Sequence, residues 1–173
     1  MAEYINPQEG ITKEGHFPNT GNALLELYRL LTIFLASKDF AKLLTNYPGE
    51  GYDPFYKIQE VESDEITRLL LSLAITARVI DDRESRVFEL VGSNCGEIQR
   101  NIHNPDIEVL DLREACNKII HAKKVRCDID EINGQTYLNP FIYLYGKHGA
   151  NNWKAKLYII NFAKEYVTLV CNF

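Results

Sequence analysis

Past residue 140 the chain reads Phe141-Ile142-Tyr143-Leu144-Tyr145, and after a turn region it continues Trp153-Lys154-Ala155-Lys156-Leu157-Tyr158-Ile159. The second stretch alternates polar and apolar residues through its two lysines, which is typical of a β-strand with one buried face. The first stretch alternates aromatic with aliphatic residues, so it fits a strand that is apolar on both faces. Glycine and asparagine in residues 146–152 favour a turn between the two. We therefore predict an antiparallel hairpin over about residues 140–159.

A helical body is predicted before this hairpin. Apolar residues recur at helical spacing from Ala23 to Leu35, and residues 64–82 form a second helix that is apolar on nearly every side. Asp111 and Glu114 resemble a capping box at the start of a third helix, over residues 112–123.

The remaining chain completes an α+β fold: a helical body, a small antiparallel sheet and a C-terminal helix. Ser63 is the expected N-cap of the second helix, and Asn161 is the expected N-cap of the C-terminal helix. Residues 125–130 alternate as a short half-buried strand. Residues 83–107 are ambiguous: residues 87–91 fit a strand or a helix, and glycine, asparagine and proline interrupt the chain after them.

Length and charge limit the classes of protein that the chain can belong to. Its 173 residues are enough for one domain with its own core, and we expect a flexible N-terminal arm, 1–20, before a single domain, 21–173. The net charge of −5 argues against a surface coated in positive charge for nonspecific nucleic-acid binding. However, residues 1–112 carry 10 basic and 19 acidic side chains, whereas residues 113–173 carry 9 and 5. This asymmetry indicates either a nucleic-acid surface on the second half or attraction between the halves.

The expected compartment is the cytoplasm. Residues 1–7 lack the basic and apolar regions of a secretory signal, and no apolar stretch approaches the roughly 20 residues that span a bilayer. We therefore expect no membrane contact. The cysteines at positions 95, 116, 127 and 171 are widely spaced, which predicts free thiols and no zinc site. We expect no cofactor or other metal.

One polar helix face carries candidate catalytic residues. In the helix over residues 112–123, Arg113, Asn117 and His121 are spaced i, i+4, i+8, so they lie on one side, away from the apolar stripe. A histidine can take up or give a proton near neutral pH, and an arginine can stabilise negative charge. The alternative is a surface role: His121 favoured by the helix dipole, and Arg113 paired with a neighbouring acid.

The segment from Arg113 to Ala122 resembles the late helix of HEPN domains (higher eukaryote and prokaryote nucleotide-binding). These are small helical domains, and several are metal-independent RNases of prokaryotic toxin–antitoxin or phage-defence systems. In that family two motifs, each an arginine followed after four to six residues by a histidine, form the active site of a dimer. The resemblance implies that His121 is the motif histidine and that Asn117 is its polar position. Arg113 departs from the pattern, because seven residues separate it from His121.

The second half of the chain also carries candidate nucleic-acid-binding residues. Aromatic residues of the predicted sheet, interleaved with lysines, can stack nucleobases or can pack the sheet against a helix, and we favour packing. The basic candidates are Lys118, Lys123, Lys124, Arg126, Lys154 and Lys156.

Three functions follow as hypotheses. The first is a cytoplasmic, prokaryotic or phage-type protein that binds RNA or a partner protein through a degenerate HEPN-like helix. The second is a HEPN-like RNase that uses His121, Arg113 and Asn117, with a homodimer as the state the family implies. The third is a protein–protein interaction module without catalysis.

Overall fold

The computed structural model describes residues 20–44, 54–84 and 93–171, and it has the predicted α+β fold. The helices α1 to α5 span Thr20–Leu43, Pro54–Gln59, Glu62–Glu84, Leu112–His121 and Ile159–Tyr166. The strands β1 to β5 span Gly96–Gln99, Glu108–Leu110, Lys124–Ile132, Gln135–His148 and Asn151–Tyr158. A π-helical turn, Val167–Cys171, extends α5. The predicted arm over residues 1–20 lies outside the described residues, except for Thr20.

Helix α4 begins where the sequence predicts. The carboxylate of Asp111 accepts a hydrogen bond from the backbone N–H of Glu114 at 2.7 Å, as in a capping box. The helix ends at His121, two residues before the predicted end, because β3 already starts at Lys124.

Two other predicted caps are wrong. Helix α3 begins at Glu62, so Ser63 lies inside its first turn, where the Ser63 carbonyl accepts a hydrogen bond from the Thr67 hydroxyl. Helix α5 follows β5 without a loop and begins at Ile159, whose side chain is fully buried. Asn161 is therefore a helical residue, and its side-chain amide donates to the carbonyl of Asn94 at 3.3 Å.

The five strands form one antiparallel sheet in the order β2-β1-β5-β4-β3. The predicted hairpin is the β4–β5 pair, in which Tyr143 lies opposite Lys156. Strands β3 and β4 form a second hairpin, closed by a two-residue turn at Asn133 and Gly134 with φ angles of 52° and 77°. Both turn residues are left-handed, as a type I′ turn requires, and Asn-Gly is the strongest short hairpin signal in a sequence. That dipeptide could have predicted where β3 ends and β4 begins.

Strand β1 lies within residues 83–107, where the sequence is ambiguous, and β2 begins directly after that region. They are four and three residues long. Strand β1 is held by long-range pairing, since Ile98 lies opposite Ala155 of β5. The ambiguous segment Val87–Val91 lies outside the described residues.

The core lies on one side of the sheet. Ile142 and Leu144 of β4 and Ala155 and Leu157 of β5 are fully buried among residues of α1, α3, α4 and α5. Alternation along each strand places their neighbours on the opposite side, which none of the described helices covers. We call that second side the open face.

Within the described ranges, no helix is long and apolar enough to cross a membrane.

One tight contact fixes the end of the β4–β5 hairpin. Gly146 lies opposite Trp153, and the indole ring occupies the space beside the glycine, so a Cβ at position 146 would lie 2.1 Å from a ring carbon. An aromatic ring that covers a cross-strand glycine pins the register of the pair. The ammonium of Lys118 lies 4.6 Å from the centroid of the buried Trp153 ring, in a cation–π contact.

We therefore predict that Gly146→Ala destabilises the protein by about 1–3 kcal/mol, because the indole must leave its packed position. Trp153 is the only tryptophan of the chain, so its fluorescence reports the change directly during urea unfolding. The exposed neighbour Lys147 supplies the control, since Lys147→Ala should shift the free energy of unfolding by less than about 0.5 kcal/mol. Equal effects of the two substitutions would contradict the assigned contact.

Candidate functional site

The open face carries alternating aromatic and basic side chains at the centre of the sheet. Tyr143 lies between Lys156 of β5 and Arg126 of β3, and the next row places Tyr145 between Lys154 and Lys124. In the third row Phe141 lies opposite Tyr158. Strand β1 adds Glu97 beside Lys156 and Gln99 beside Lys154. We call this set of side chains the aromatic–basic array; its members among the described residues are Lys124, Arg126, Phe141, Tyr143, Tyr145, Lys154, Lys156 and Tyr158.

The array corrects the favoured interpretation of the aromatic residues. Trp153 packs in the core, as that interpretation requires. Phe141, Tyr143, Tyr145 and Tyr158 instead lie on the open face and are only partly buried. The reason is that β4 is apolar on both faces, so its pattern does not indicate which face the helices cover.

The basic groups of the array lie over the rings. Lys156 is 4.5 Å from the ring centroid of Phe141, and Lys154 is 4.8 Å from that of Tyr143. Arg126 is 5.8 Å from the ring of Tyr145. At partly exposed positions such cation–π contacts are worth about 0.5–1 kcal/mol each. None of these three cations forms an ion pair within the described residues, so their charge is not neutralised.

Two acids border the array and orient its tyrosines. The Tyr158 hydroxyl donates to Glu97 at 2.6 Å, and this bond raises the pKa of Tyr158 to about 12. Burial, together with the nearby negative charge of Asp128, raises the pKa of Tyr143. Both hydroxyls are protonated at neutral pH, and the bond to Glu97 holds the ring of Tyr158 in place. The sequence offered no signal for these two acids, because each depends on strand register.

The structure separates the six predicted basic residues into two groups. Lys124, Arg126, Lys154 and Lys156 belong to the array. Lys118 lies on the helix side of the sheet, where its ammonium contacts Glu114 at 3.1 Å and the Trp153 ring. Lys123 lies beyond the end of the array, in a depression of about 310 Å³ that also includes Tyr145 and Lys147.

The residues of the HEPN-like segment lie on α4. Arg113 and His121 are exposed and Asn117 is partly exposed, as the spacing predicts for a polar helix face. The Arg113 guanidinium lies 3.9 Å from the carboxylate of Asp81, which matches the surface alternative for this residue. Because α4 packs on the core side of the sheet, these residues and the array are separate sites.

The thiols offer little further chemistry. All four cysteines are unpaired, and burial raises the pKa of Cys95, Cys116, Cys127 and Cys171, with that of Cys116 at about 12. A raised pKa removes the nucleophilic thiolate at neutral pH. Within the described residues, no group of three or more histidine, cysteine or acidic side chains is placed to hold a metal ion.

The bond between Tyr158 and Glu97 predicts a pH dependence of stability. A tyrosine whose pKa rises from 10.0 to about 12 on folding stabilises the folded state fully below pH 10, and this contribution is lost as the pH rises through 12. The free energy of unfolding of the wild-type protein, measured by urea titration, should fall towards that of Tyr158→Phe between pH 10 and 12. In a Glu97→Ala background, Tyr158→Phe should change this pH dependence much less. An unchanged offset between wild type and Tyr158→Phe over this range would contradict the assignment.

No protein-family model, curated protein or solved structure matches the chain.

Proposed function

We propose that the aromatic–basic array of the open face binds single-stranded RNA. The observation that carries the proposal is the alternation of rings and cations, one residue type beside the other, on a sheet face that none of the described helices covers. Single-stranded nucleic acids bind through this combination, because aromatic rings stack on bases while cations neutralise phosphates.

Local charge supports a polyanionic ligand despite the net charge of −5. Four basic residues belong to the array, whereas Glu97 and Asp128 are the acids that contact its tyrosines. Glu97 accepts a hydrogen bond from Tyr158 and Asp128 accepts one from Asn139, and the two acids flank the array from opposite sides, on β1 and β3. The centre of the array, between Lys154 and Lys156, is therefore positively charged and faces a ligand that approaches from solvent.

The cations of the array can exchange partners on binding. Lys154 and Lys156 now lie over the rings of Tyr143 and Phe141. A phosphate oxygen forms a charge-assisted hydrogen bond, which is stronger than a cation–π contact at a partly exposed site. Movement of each ammonium onto a phosphate would uncover the ring beneath it, and a base could then stack there.

The dimensions favour unpaired bases. Tyr143 and Tyr145 are two residues apart on one strand, so their rings are separated by about 7 Å. A base inside a duplex has no free face to offer to such rings, whereas the bases of a single strand do. Glu97 and Gln99 line a depression of about 200 Å³ beside Tyr143, and their side chains could accept or donate hydrogen bonds at the edge of one base.

The test measures binding of a 5′-fluorescein-labelled, single-stranded RNA of about 12 nucleotides by fluorescence anisotropy, a length within the range that compact single-strand sites cover. Affinity should fall with salt concentration, and Lys154→Ala with Lys156→Ala should reduce the slope of log K against log salt by about 0.7 per lysine. Tyr143→Leu should weaken binding by about 1–3 kcal/mol through loss of one stacked base.

The matched control removes two lysines elsewhere. Lys57 on α2 and Lys164 on α5 are exposed and lie outside the array, so the double alanine variant has the same net charge as the test variant. It should keep the wild-type salt slope. Equal losses in the two double variants, or equally strong binding of a duplex of the same sequence, would exclude the array as a single-strand site.

The resemblance of α4 to HEPN domains predicts cleavage of RNA rather than binding alone. Incubation with tRNA and with structured RNA should then give products that His121→Ala reduces by at least about 100-fold, the usual contribution of a general acid or base. His103 is an exposed histidine outside α4, and His103→Ala is the control. Absence of products, or products that persist in His121→Ala, would exclude an RNase centred on α4 and leave the array unaffected.

A further inference from the structure

Strand β3 leaves one long edge of the sheet without a partner. It runs over Lys124–Ile132, and its pairing partner is β4 on one side. Among the described residues, no backbone–backbone hydrogen bond reaches its outer edge. Nine residues of unpaired edge are an open template for another strand, and proteins usually blunt such edges with charges.

The charges on this edge do not repel a second copy of the same edge. On the open face, β3 carries Lys124 and Arg126 in its first half and Asp128 and Asp130 in its second half. If two β3 strands pair antiparallel about a two-fold axis at Cys127, then Lys124 faces the partner's Asp130 and Arg126 faces the partner's Asp128. A shift of the axis to residue 126 or 128 would place Arg126 against Arg126 or Asp128 against Asp128. The strand is therefore complementary to itself in one register.

The backbone is in phase with that register. The two-residue turn makes Ile132 and Gln135 a hydrogen-bonded pair, so by alternation Ile129 and Cys127 direct their N–H and C=O groups outwards. In the register about Cys127, the outward N–H and C=O groups of one β3 strand lie opposite the outward C=O and N–H groups of the other, so the two strands can form backbone hydrogen bonds. The ion pairs then fall at the non-hydrogen-bonded positions, where opposite Cα atoms are closest, at about 4.5 Å.

The helix side of the edge is apolar and incompletely covered. Ile129 is 61% exposed. It borders a groove of about 440 Å³ whose lining includes Ile66, Cys127 and Leu138. The same register places the partner's Val125 opposite Ile129, so pairing would cover an apolar side chain that a monomer leaves in water.

We propose that two copies of this chain associate through their β3 edges, which joins two five-stranded sheets into one sheet of ten strands. The occupant of the edge is a second copy because the charges, the backbone phase and the apolar position all match in one register. Across the junction the two Tyr143 residues are three strand spacings apart, about 14 Å across the strands and about 7 Å along them, on the same continuous face. The two aromatic–basic arrays then lie side by side.

The test measures the mass of the full chain by sedimentation equilibrium without nucleic acid, so its outcome does not depend on RNA binding. We expect twice the monomer mass of 19.9 kDa at high protein concentration. Ile129→Pro should give monomers, because proline removes an outward N–H and leaves the bonds between β3 and β4 in place. Lys124→Asp and Asp130→Lys should each weaken association by about tenfold, since each opposes like charges at two symmetric positions.

The double variant that combines Lys124→Asp with Asp130→Lys restores opposite charges and should recover the wild-type dissociation constant within about threefold. Lys164→Asp, on the exposed side of α5, makes the same charge change away from the edge and should have no effect. Trp153 fluorescence during unfolding shows that each variant is folded. A wild-type monomer at every concentration would overturn the proposal, as would a dimer that persists in Ile129→Pro or a double variant no better than its parents.

Discussion

The register of β4 against β5 is the constraint on which the other parts of the structure depend. In this register Ile142 and Leu144 lie opposite Leu157 and Ala155, and all four face the helices. A slip of β4 by one residue would turn its tyrosines towards the core and expose Ile142 and Leu144. Trp153 over Gly146 holds the register at one end of the hairpin, and the direct entry of β5 into α5 holds it at the other. The core and the open face are therefore two results of one pairing.

Local pattern predicted this hairpin because both determinants, the alternation and the turn residues, lie within twenty residues of each other. It also predicted α4, because the main cap of that helix is the local bond from the Glu114 N–H to Asp111; the second bond, from the Leu112 N–H to the Ser93 hydroxyl, is not a local signal. It could not predict β1 and β2. Strand β1 is four residues long, and it is a strand because Ile98 meets Ala155, which is far away in the chain. The same limit explains the start of α5, which is set by burial of Ile159 rather than by a capping side chain.

The candidate site was partly predictable for a related reason. Alternation placed Lys154 and Lys156 together on one face, and the structure adds Arg126 through its pairing with β4. Lys118 was a candidate from the same charge count, but it belongs to α4 and lies on the other side of the sheet. Charge counting finds basic residues but not the face on which they lie. The acids that orient the tyrosines depend on contacts between strands, which no local pattern contains.

The strand order also limits when the protein can fold during its synthesis. Strand β5 lies between β1 and β4 and is the last of the five to leave the ribosome. Until it does, the β1–β2 pair has no neighbour, and the apolar sides of α1 and α3 have only part of the sheet to cover them. The emerging chain must therefore keep a long apolar helix surface in water while it waits for Leu157 and Ala155. Such a nascent chain is a natural client for chaperones that bind exposed apolar segments.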